Sequence, residues 1–294
     1  MSTTNAASSD AGPQFSREED QALAEQLAVE AGWLLLDVRE SGEAQGRALG
    51  DLGDSRSDAF VLGRLAELRP GDAVLSEESP DISARSTAER VWIIDPVDGT
   101  REFSSPGRAD WAVHVALWFR DGDPARANLD VSAVSLPALG TVIGTGGATS
   151  FAGESQPLAP AAGAGGGPGA PALLPQAGDD ARPRILASGS RPPRFLPSAV
   201  RRMGGSLHAL GSAGAKAMAV VRGEAEAYVH AGGQFQWDSA APAGVALAHG
   251  LVACRIDGSP LEYNVADTYL PDLVICRPEI ADDLLAAIAE ARAK

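Results

Sequence analysis

The sequence predicts a protein of mixed α and β structure whose two halves are built differently. Residues 73–144 contain short apolar runs separated by short turns, which is typical of an antiparallel or mixed sheet. Residues 184–293 alternate between strand-like and helical patterns, which is typical of an α/β arrangement. Between them, residues 152–182 contain little but Ala, Gly and Pro. We therefore predict an α+β half and an α/β half joined by an insertion.

Two helices are predicted before the first strand. Ser16 and Glu19 form a capping-box pattern, and apolar residues then recur at helical spacing as far as Gly42. A second helix is predicted over 58–68, stopped by Pro70. The strands predicted in this half are 73–75, 90–95, 111–119, 131–136 and 139–144.

The second half alternates strand and helix patterns at 184–188, 196–203, 206–210, 213–222, 225–231, 239–249, 251–257, 272–276 and 279–293. The tract 152–182 shows neither period and cannot bury enough apolar surface to offset its ordering entropy, so we predict a flexible insertion there. The predicted organisation is a disordered tail over 1–15, an N-terminal α+β domain that binds metal over 16–151, and a C-terminal α/β domain over 183–294.

The composition narrows the class of partner. A net charge of −15 disfavours binding to nucleic acid or to an anionic membrane. No apolar run approaches the length that spans a membrane, and the first 15 residues lack the apolar core of a signal peptide. Cys254 and Cys276 lie in apolar strand-like runs and are expected to be buried thiols, although the sequence leaves a disulfide open. We expect a soluble, cytoplasmic protein with a small-molecule partner.

The most informative motif is DPVDGT at 95–100, directly after the apolar run 91–94. Asp95 and Asp98 repel one another unless a proton or a cation lies between them. Oxygen ligands on a Pro/Gly turn suit a hard divalent ion, for which Mg²⁺ is the expected choice. The N–H groups after Asp98 are able to start a helix at an anion. The motif therefore predicts a metal site beside a phosphate site; a capped turn with solvated aspartates is the alternative.

Acidic residues follow or begin two further predicted elements. Glu77 and Glu78 come directly after the strand 73–75, where a solvated pair is the ordinary alternative. Asp238 opens a small, apolar segment, where a helix N-cap is the alternative. Because active sites of layered α/β folds gather at the ends of strands, we expect these groups to converge on the first motif.

Three stretches together resemble the signatures of the inositol monophosphatase superfamily of Mg²⁺-dependent, lithium-sensitive phosphatases: LSEES at 75–79, WIIDPVDGT at 92–100 and WDSAA at 237–241. Three more are similar to its CysQ branch, the 3′(2′),5′-bisphosphate nucleotidases: REF at 101–103, GSAGAK at 211–216 and DGSPLEYN at 257–264. The resemblance covers about residues 16–294 and implies a layered α-β-α-β-α sandwich. The main competing family by pattern is the haloacid dehalogenase type of phosphatase. Its motif needs two Asp separated by one residue, whereas two residues separate Asp95 from Asp98, so the spacing argues against that family.

The resemblance implies two or three Mg²⁺ ions held by carboxylates. One ion would take Glu77, Asp95 and the backbone carbonyl of Val97. A second would take Asp95, Asp98 and Asp238, and a third would be held by Glu77 and water. Four carboxylates brought together need cations, so the empty site is expected to be strained or mobile.

The resemblance also assigns catalytic and substrate-binding roles. Thr100 would handle the proton of the attacking water with an acidic residue near the second helix, for which Asp58 is the best match; a helix N-cap is the alternative for Asp58. Glu77 completes the catalytic set. The implied substrate-binding residues are Asp98, Gly99, Thr100, Arg101, Ser190, Arg191, Ser212, Lys216 and Asp238.

Two of these substrate-binding predictions rest partly on composition and chemistry. Lys216 and Lys294 are the two lysines among 24 basic residues, so an internal lysine at a predicted helix start indicates a phosphate contact, with a surface lysine as the alternative. Arg191 is able to bind a second phosphate through two hydrogen bonds. The histidines show no metal spacing and are interpreted as structural: His114, His208, His230 and His249.

The expected function is hydrolysis of the 3′-phosphate of adenosine 3′,5′-bisphosphate (PAP) to AMP in sulfate assimilation. An inositol monophosphatase or a fructose-1,6-bisphosphatase is the alternative within the superfamily, since these enzymes share the metal centre. A silent protein that binds a phosphorylated metabolite is the alternative of a different class. A homodimer is among the expected assemblies.

Overall fold

The structure is a computed structural model that describes residues 15–80, 83–153, 155–156, 172–174 and 182–293. It contains two β-sheets separated by a layer of helices. The first sheet follows two long helices in the sequence, and the second sheet lies in the second half of the chain. The predicted tail is outside the described residues apart from Phe15, and so is most of the tract 152–182.

The first helix, α1, spans Arg17–Ser41 and has the ends that the sequence predicts. Ser16 accepts a hydrogen bond from the Glu19 backbone N–H, and the Glu19 side chain returns to the Ser16 N–H, so the capping box is formed. Gly42 closes the helix in the left-handed conformation, with φ of 72°. The prediction of this helix is confirmed.

The second helix, α2, spans Arg47–Leu68, so the predicted start at residue 58 is wrong. The missed turns carry glycines, which weaken a helical pattern in the sequence but allow another backbone to pack closely. A Cβ at Gly50 would lie 2.7 Å from Thr100 Cγ2, and one at Gly53 would lie 2.5 Å from Phe103 Cε1. Asp58 lies inside this helix and is not its N-cap.

The first sheet has seven strands within the described residues, paired in chain order: β1 (Ala73–Ser76), β2 (Arg90–Asp98), β3 (Ala112–Phe119), β4 (Val131–Leu136), β5 (Thr141–Gly144), β6 (Gly147–Ser150) and β7 (Ser155–Gln156). β1 pairs with β2 in parallel, and every other pair is antiparallel. The mixed sheet and its first five strands match the prediction, whereas β6 and β7 are additional.

The second sheet has the strand order β11-β12-β10-β8-β9. Its strands are β8 (Arg184–Ser188), β9 (Ser206–Leu210), β10 (Ala227–Phe235), β11 (Val252–Cys254) and β12 (Tyr269–Cys276). β8 pairs in parallel with β9 and β10, and β12 pairs antiparallel with β10 and β11. Cys254 and Cys276 are buried free thiols, so the open question of a disulfide is settled in favour of thiols.

The remaining helices complete five layers: α3 (Thr100–Phe103), α4 (Leu196–Arg202), α5 (Ala213–Val221), α6 (Gln236–Ala248) and α7 (Ala281–Arg292). One apolar cluster joins α1 and α2 to the first sheet, a second joins both sheets through α5 and α6, and a third joins the second sheet to α4 and α7. The predicted α-β-α-β-α sandwich is confirmed. Among the described helices, none combines the length and apolar character needed to cross a bilayer.

Two described pieces of the tract 152–182 are held by the fold, which composition did not predict. Strand β7 pairs with β6, and the N–H groups of Leu173 and Leu174 donate to Glu224 Oε2 at 2.8 and 3.0 Å. Leu174 is buried in the central apolar cluster. The domain boundary that we placed in this tract stays a prediction.

Candidate metal centre and active site

The acidic groups of the three motifs converge where β1 and β2 end and where α5 and α6 begin. The Glu77 N–H donates to the Ile94 carbonyl at 3.3 Å, which extends the parallel pairing of β1 with β2 and places Glu77 beside Asp95. A bulge between Asp95 and Asp98 interrupts the pairing of β2 with β3. The bulge turns both carboxylates towards the central helical layer, where α6 supplies Asp238 in its first turn.

Three aspartates form a compact carboxylate group: Asp95, Asp98 and Asp238. One carboxylate oxygen from each lies within 4.8 Å of one oxygen from each of the other two. Asp95 Oδ1 accepts the Val97 N–H at 3.1 Å, but the buried Oδ2 has no hydrogen-bond partner among the described residues. Burial, then repulsion from Glu77 and Asp98, raises the pKa of Asp95 well above its ordinary value. An unsatisfied buried carboxylate oxygen among like charges fits a divalent cation.

Glu77 lies outside that 4.8 Å group, but its charge interacts with the same carboxylates. Partial burial of its carboxyl group, then repulsion from Asp238 and Glu78, raises the pKa of Glu77 to about 8. The residue as a whole is exposed, so it lies where the site opens to solvent. Glu77 is therefore placed to serve as a further oxygen ligand at the mouth of the site.

Asp98 is the member of the group whose surroundings favour the charged form. Its two carboxylate oxygens accept the N–H groups of Ala213 and Gly214 at 3.1 and 2.5 Å, at the start of α5. Burial opposes ionisation, but His114, Lys216 and these N–H groups outweigh it and lower the pKa of Asp98. The N-terminus of α5, where backbone N–H groups favour negative charge, therefore binds the Asp98 carboxylate.

Asp238 begins the other central helix. Its Oδ2 accepts the Phe235 N–H at 2.6 Å, which orients the carboxylate at the N-terminus of α6. Burial, then repulsion from Asp98, raises the pKa of Asp238 to about 6. Both central helices thus begin at the carboxylate group, and each holds one of its aspartates.

The acidic partner of Thr100 is Asp54, and the prediction of Asp58 in this place is wrong. Thr100 Oγ1 donates to Asp54 Oδ1 at 3.3 Å and lies equally far from the Val97 carbonyl oxygen. Asp58 instead accepts the hydroxyls of Ser76 and Ser79 at 2.6 and 2.9 Å. The two aspartates lie one helical turn apart on α2, and α2 starts earlier than predicted, so the turn nearer its start faces Thr100.

Burial, then repulsion from Glu78, raises the pKa of Asp54 to about 7. A carboxyl group with this pKa exchanges a proton readily near neutral pH. A sequence signal for this residue does exist: Gly50, Gly53 and Asp54 recur at helical spacing and together form a face of small and acidic residues.

A pocket of about 510 Å³ opens beside the carboxylate group, and the residues predicted to bind substrate all line it: Asp98, Gly99, Thr100, Arg101, Ser190, Arg191, Ser212, Lys216 and Asp238. Gly99 has φ of 87°, and a Cβ there would lie 2.8 Å from Ser212 Cβ, so this position requires glycine. Ser212 caps α5 by accepting the Ala215 N–H at 2.8 Å. The binding roles of these residues stay predictions.

Lys216 is buried, which excludes the alternative of a surface lysine. Its ammonium group donates to the carbonyl oxygens of Gly211 and Ser212, both at 2.5 Å, and lies 5.0 Å from the centre of the Tyr228 ring. Burial lowers the pKa of Lys216 to about 8, against the attraction of Asp98. Lys216 therefore stabilises the loop before α5 and places a positive charge at the pocket wall.

Sequence reasoning missed the residues that hold the opposite side of this loop. Asp110 accepts the Gly211 N–H at 2.6 Å and pairs with Arg108, and Glu102 packs against Gly211 so closely that a side chain there would overlap it. Arg108 and Glu102 also line the pocket. Arg108 and Asp110 are charged residues of a loop and carry no local pattern, whereas Glu102 lies in α3 and within the REF stretch that resembles the CysQ branch.

His114 is a further residue that sequence reasoning did not connect with the site. It was interpreted as structural, yet its Nε2 lies 3.1 Å from Asp98 Oδ2 and its Nδ1 lies 3.1 Å from the Trp237 carbonyl oxygen. Its place on β3 opposite Asp95 is a consequence of strand register. The sequence does not give that register directly.

The fold and the site together define a class of protein, the metal-dependent phosphatases. The features that define it are the five-layer sandwich, the carboxylates clustered at strand ends, the two helix N-termini and the adjacent pocket with basic residues. The model of the inositol monophosphatase family matches residues 16–140 and 186–293. The chain therefore belongs to the inositol monophosphatase family.

Similar proteins agree with this assignment. The chain is 49% identical over 278 residues to the 3'-phosphoadenosine 5'-phosphate phosphatase of Mycobacterium leprae, with 92% of this chain and 94% of the relative covered. It is 51% identical over 264 residues to the protein of that name from Mycobacterium tuberculosis, with 89% and 90% covered. The solved structure of Mycobacterium tuberculosis SuhB superposes with a TM-score of 0.67 at 24% identity, and the match covers 95% of this chain and 98% of the SuhB chain. This similarity shows that the two proteins share the fold. The predicted superfamily, CysQ-like branch and phosphatase class are confirmed.

Proposed function

We propose that the protein is a Mg²⁺-dependent phosphatase that removes the 3′-phosphate of PAP to give AMP. The observation that carries the proposal is the unpartnered Oδ2 of Asp95, which lies beside two further aspartates that line a pocket with basic residues on its wall. The names of the two relatives near 50% identity support PAP as the substrate.

The metal ions would be held by oxygen atoms of Glu77, Asp95, Asp98 and Asp238 and by the backbone carbonyl of Val97. When bound, two or three such ions lower the pKa of water and offset the negative charge of a phosphoryl group during an in-line displacement. The carboxylates would then all be ionised, since a cation reverses the repulsion that raises their pKa values.

Thr100 and Asp54 would move the proton of the attacking water. The Thr100 hydroxyl already donates to Asp54 Oδ1, so its oxygen is left as an acceptor facing the pocket. A water that donates to Thr100 Oγ1 would pass its proton through that hydroxyl to Asp54. The raised pKa of Asp54, about 7, suits a general base at neutral pH.

The pocket wall would hold the two phosphates of PAP at different places. Backbone N–H groups at Gly99, Thr100 and Arg101 would face the 3′-phosphate next to the metal ions. Ser190 and Arg191 line the same pocket from the loop after β8 and would bind the 5′-phosphate. A substrate with one phosphate would leave the second place empty, which supports a bisphosphate.

The proposal includes a cytoplasmic location, where the enzyme would remove PAP formed as a by-product of sulfate assimilation. A homodimer stays a prediction.

Phosphate release from PAP, inositol 1-phosphate and fructose 1,6-bisphosphate, measured at equal concentrations with saturating Mg²⁺, tests the proposal. We expect kcat/KM to be highest for PAP. It should exceed the value for inositol 1-phosphate, which lacks a second phosphate, by about 10- to 150-fold, since a lost charged hydrogen bond costs about 1.5–3 kcal/mol. Chromatography of the product should show AMP. Equal or faster release from inositol 1-phosphate would instead favour an inositol monophosphatase.

A further inference from the structure

His114 lies at the centre of the site, although no motif includes it. It belongs to β3 and pairs in register with Asp95 of β2. Its side chain is fully buried and lies on the face of the first sheet that packs against α5 and α6, as do those of Ala112 and Ala116 two residues to either side. A polar side chain in this position needs polar partners, because burying an unpaired polar group is costly.

The imidazole ring contacts two groups that define the metal centre. Nε2 lies 3.1 Å from Asp98 Oδ2 but lacks the alignment of a hydrogen bond, whereas Nδ1 is within hydrogen-bond distance, 3.1 Å, of the carbonyl oxygen of Trp237, the residue before Asp238. Nδ1 also lies 3.9 Å from the unpartnered Oδ2 of Asp95. One ring therefore touches a carboxylate from the end of β2 and the backbone of the first turn of α6.

Close packing keeps the ring in this place. Gly214 lies against it, and a Cβ at that position would overlap His114 Nε2. The Gly214 N–H also donates to Asp98 Oδ2. Asp98 Oδ2 is thus enclosed by a backbone donor on one side and the imidazole on the other, which leaves the carboxylate little freedom to rotate.

We infer that His114 is a positioning residue of the metal centre, which fixes the orientation of Asp98 and the distance from Asp98 to Asp238 at the start of α6. The ring lies between two elements that each carry a proposed ligand, since it contacts Asp98 from β2 and the backbone next to Asp238 in α6. The inference rests on the proposed function in one respect, namely that Asp98 and Asp238 hold Mg²⁺. Residues that orient metal ligands typically change metal affinity by 10- to 100-fold when they are replaced.

The test compares His114→Leu and His114→Gln with a matched control, His249→Leu. His249 also contacts a backbone carbonyl, that of Gly144 at 2.9 Å, but it lies at the far end of α6. Isothermal titration calorimetry gives the Kd for Mg²⁺ of each protein, and steady-state kinetics give kcat and KM for PAP at saturating Mg²⁺. Circular dichroism confirms that each variant is folded.

We expect His114→Leu to raise the Kd for Mg²⁺ by 10- to 100-fold and to change KM for PAP less than threefold at saturating Mg²⁺. His114→Gln, which carries an N–H donor near the position of Nε2, should regain at least half of the loss on a logarithmic scale. His249→Leu should bind Mg²⁺ within twofold of the parent. A folded His114→Leu protein whose Kd is within twofold of the parent would overturn the inference.

If His114→Leu does not fold, His114→Asn replaces it, since Asn retains a polar group near the Trp237 carbonyl but is too short to reach Asp98. The same tenfold or larger increase in Kd is expected, and an unchanged Kd again overturns the inference. A parent protein that binds Mg²⁺ but prefers another phosphate ester would refute PAP as the substrate and leave the role of His114 intact. A parent that binds no Mg²⁺ would refute both.

Discussion

Thr100 Oγ1 and Asp54 Oδ1 lie 3.3 Å apart and join the start of α3 to the second turn of α2. The contact depends on Gly50, because a larger side chain there would meet the Thr100 methyl group. The proposed general base is thus carried by a helix that packs closely on the turn proposed to bind phosphate.

Asp54→Asn should lower kcat for PAP by about 100-fold or more, because an amide cannot take the proton that Thr100 passes on. The Kd for Mg²⁺ should change little, since Asp54 is not among the proposed ligands. The matched control is Asp58→Asn, one turn along the same helix, which should lose stability through its serine contacts but keep kcat within about tenfold. The reverse order of effects on kcat would return the role to Asp58.

The error over Asp58 shows which part of the site the sequence can supply. Asp95 and Asp98 belong to one strand end, so their proximity follows from local spacing alone. Asp54 is placed by the packing of Gly50 and Gly53 on α3, which is a long-range contact. These glycines recur at helical spacing, but helical periodicity is ordinarily sought among apolar residues, so this face of α2 was overlooked.

The same reason explains the other differences between prediction and structure. The apolar strands of both sheets were predicted because runs of apolar residues in the sequence indicate buried strands. Strand β6 contains small and polar residues, so it is recognised only from its pairing with β5. His114 was given no role, because its contacts depend on the register of β3 with β2. Leu173 and Leu174 are two apolar residues in an Ala/Gly/Pro tract, and their partner Glu224 lies about fifty positions away.

Asp95→Asn should abolish turnover and yet raise the thermal stability of the metal-free protein. In the parent, burial and repulsion from Glu77 and Asp98 disfavour the charged carboxylate, and an amide of the same shape removes that repulsion. Differential scanning calorimetry with EDTA measures the Tm, and phosphate release measures activity. Asp121→Asn, at an exposed position, is the control and should change neither. A variant with activity within tenfold of the parent at saturating Mg²⁺ would refute the metal role of Asp95.

The stability of the metal-free protein should fall as the pH rises from about 5 to 8. The pKa values of Glu77, Asp54 and Asp238 are raised to about 8, 7 and 6, by burial first and by neighbouring carboxylates second, whereas carboxyl groups in an unfolded chain titrate at about 4. Between these values the folded protein binds more protons than the unfolded chain, so the free energy of unfolding decreases with pH.

Bound Mg²⁺ should reverse this dependence, since it favours the ionised carboxylates. The increase in Tm on adding Mg²⁺ should therefore be larger at pH 8 than at pH 5.5, as measured by calorimetry at constant ionic strength. Ca²⁺-free buffer with Na⁺ at equal ionic strength is the control for screening. A Tm in EDTA that is flat or rising over this range would contradict the raised pKa values.

Arg191→Ala should impair hydrolysis of a bisphosphate more than that of a monophosphate. Its proposed contact is with the 5′-phosphate, so KM for PAP should rise by roughly tenfold or more, while hydrolysis of adenosine 3′-phosphate, which lacks that group, should change little. Arg194→Ala, three residues further along the chain and outside the pocket wall, is the control. Equal losses on both substrates would remove the second-phosphate role from Arg191.

The tract between the halves should be dispensable for catalysis except where it contacts the fold. Replacing residues 157–170 with a short Gly/Ser turn should leave kcat/KM for PAP nearly unchanged, and closure entropy alone should raise stability slightly, by about 0.6 kcal/mol per halving of the loop. Leu174→Ala should instead lower stability by about 2 kcal/mol, because Leu174 is buried in the central cluster. That loss corresponds to a Tm lower by roughly 4–8 °C. Calorimetry and steady-state kinetics measure both variants side by side. A shortened tract that folds normally but loses most of its kcat would show that these residues act as a lid over the active site.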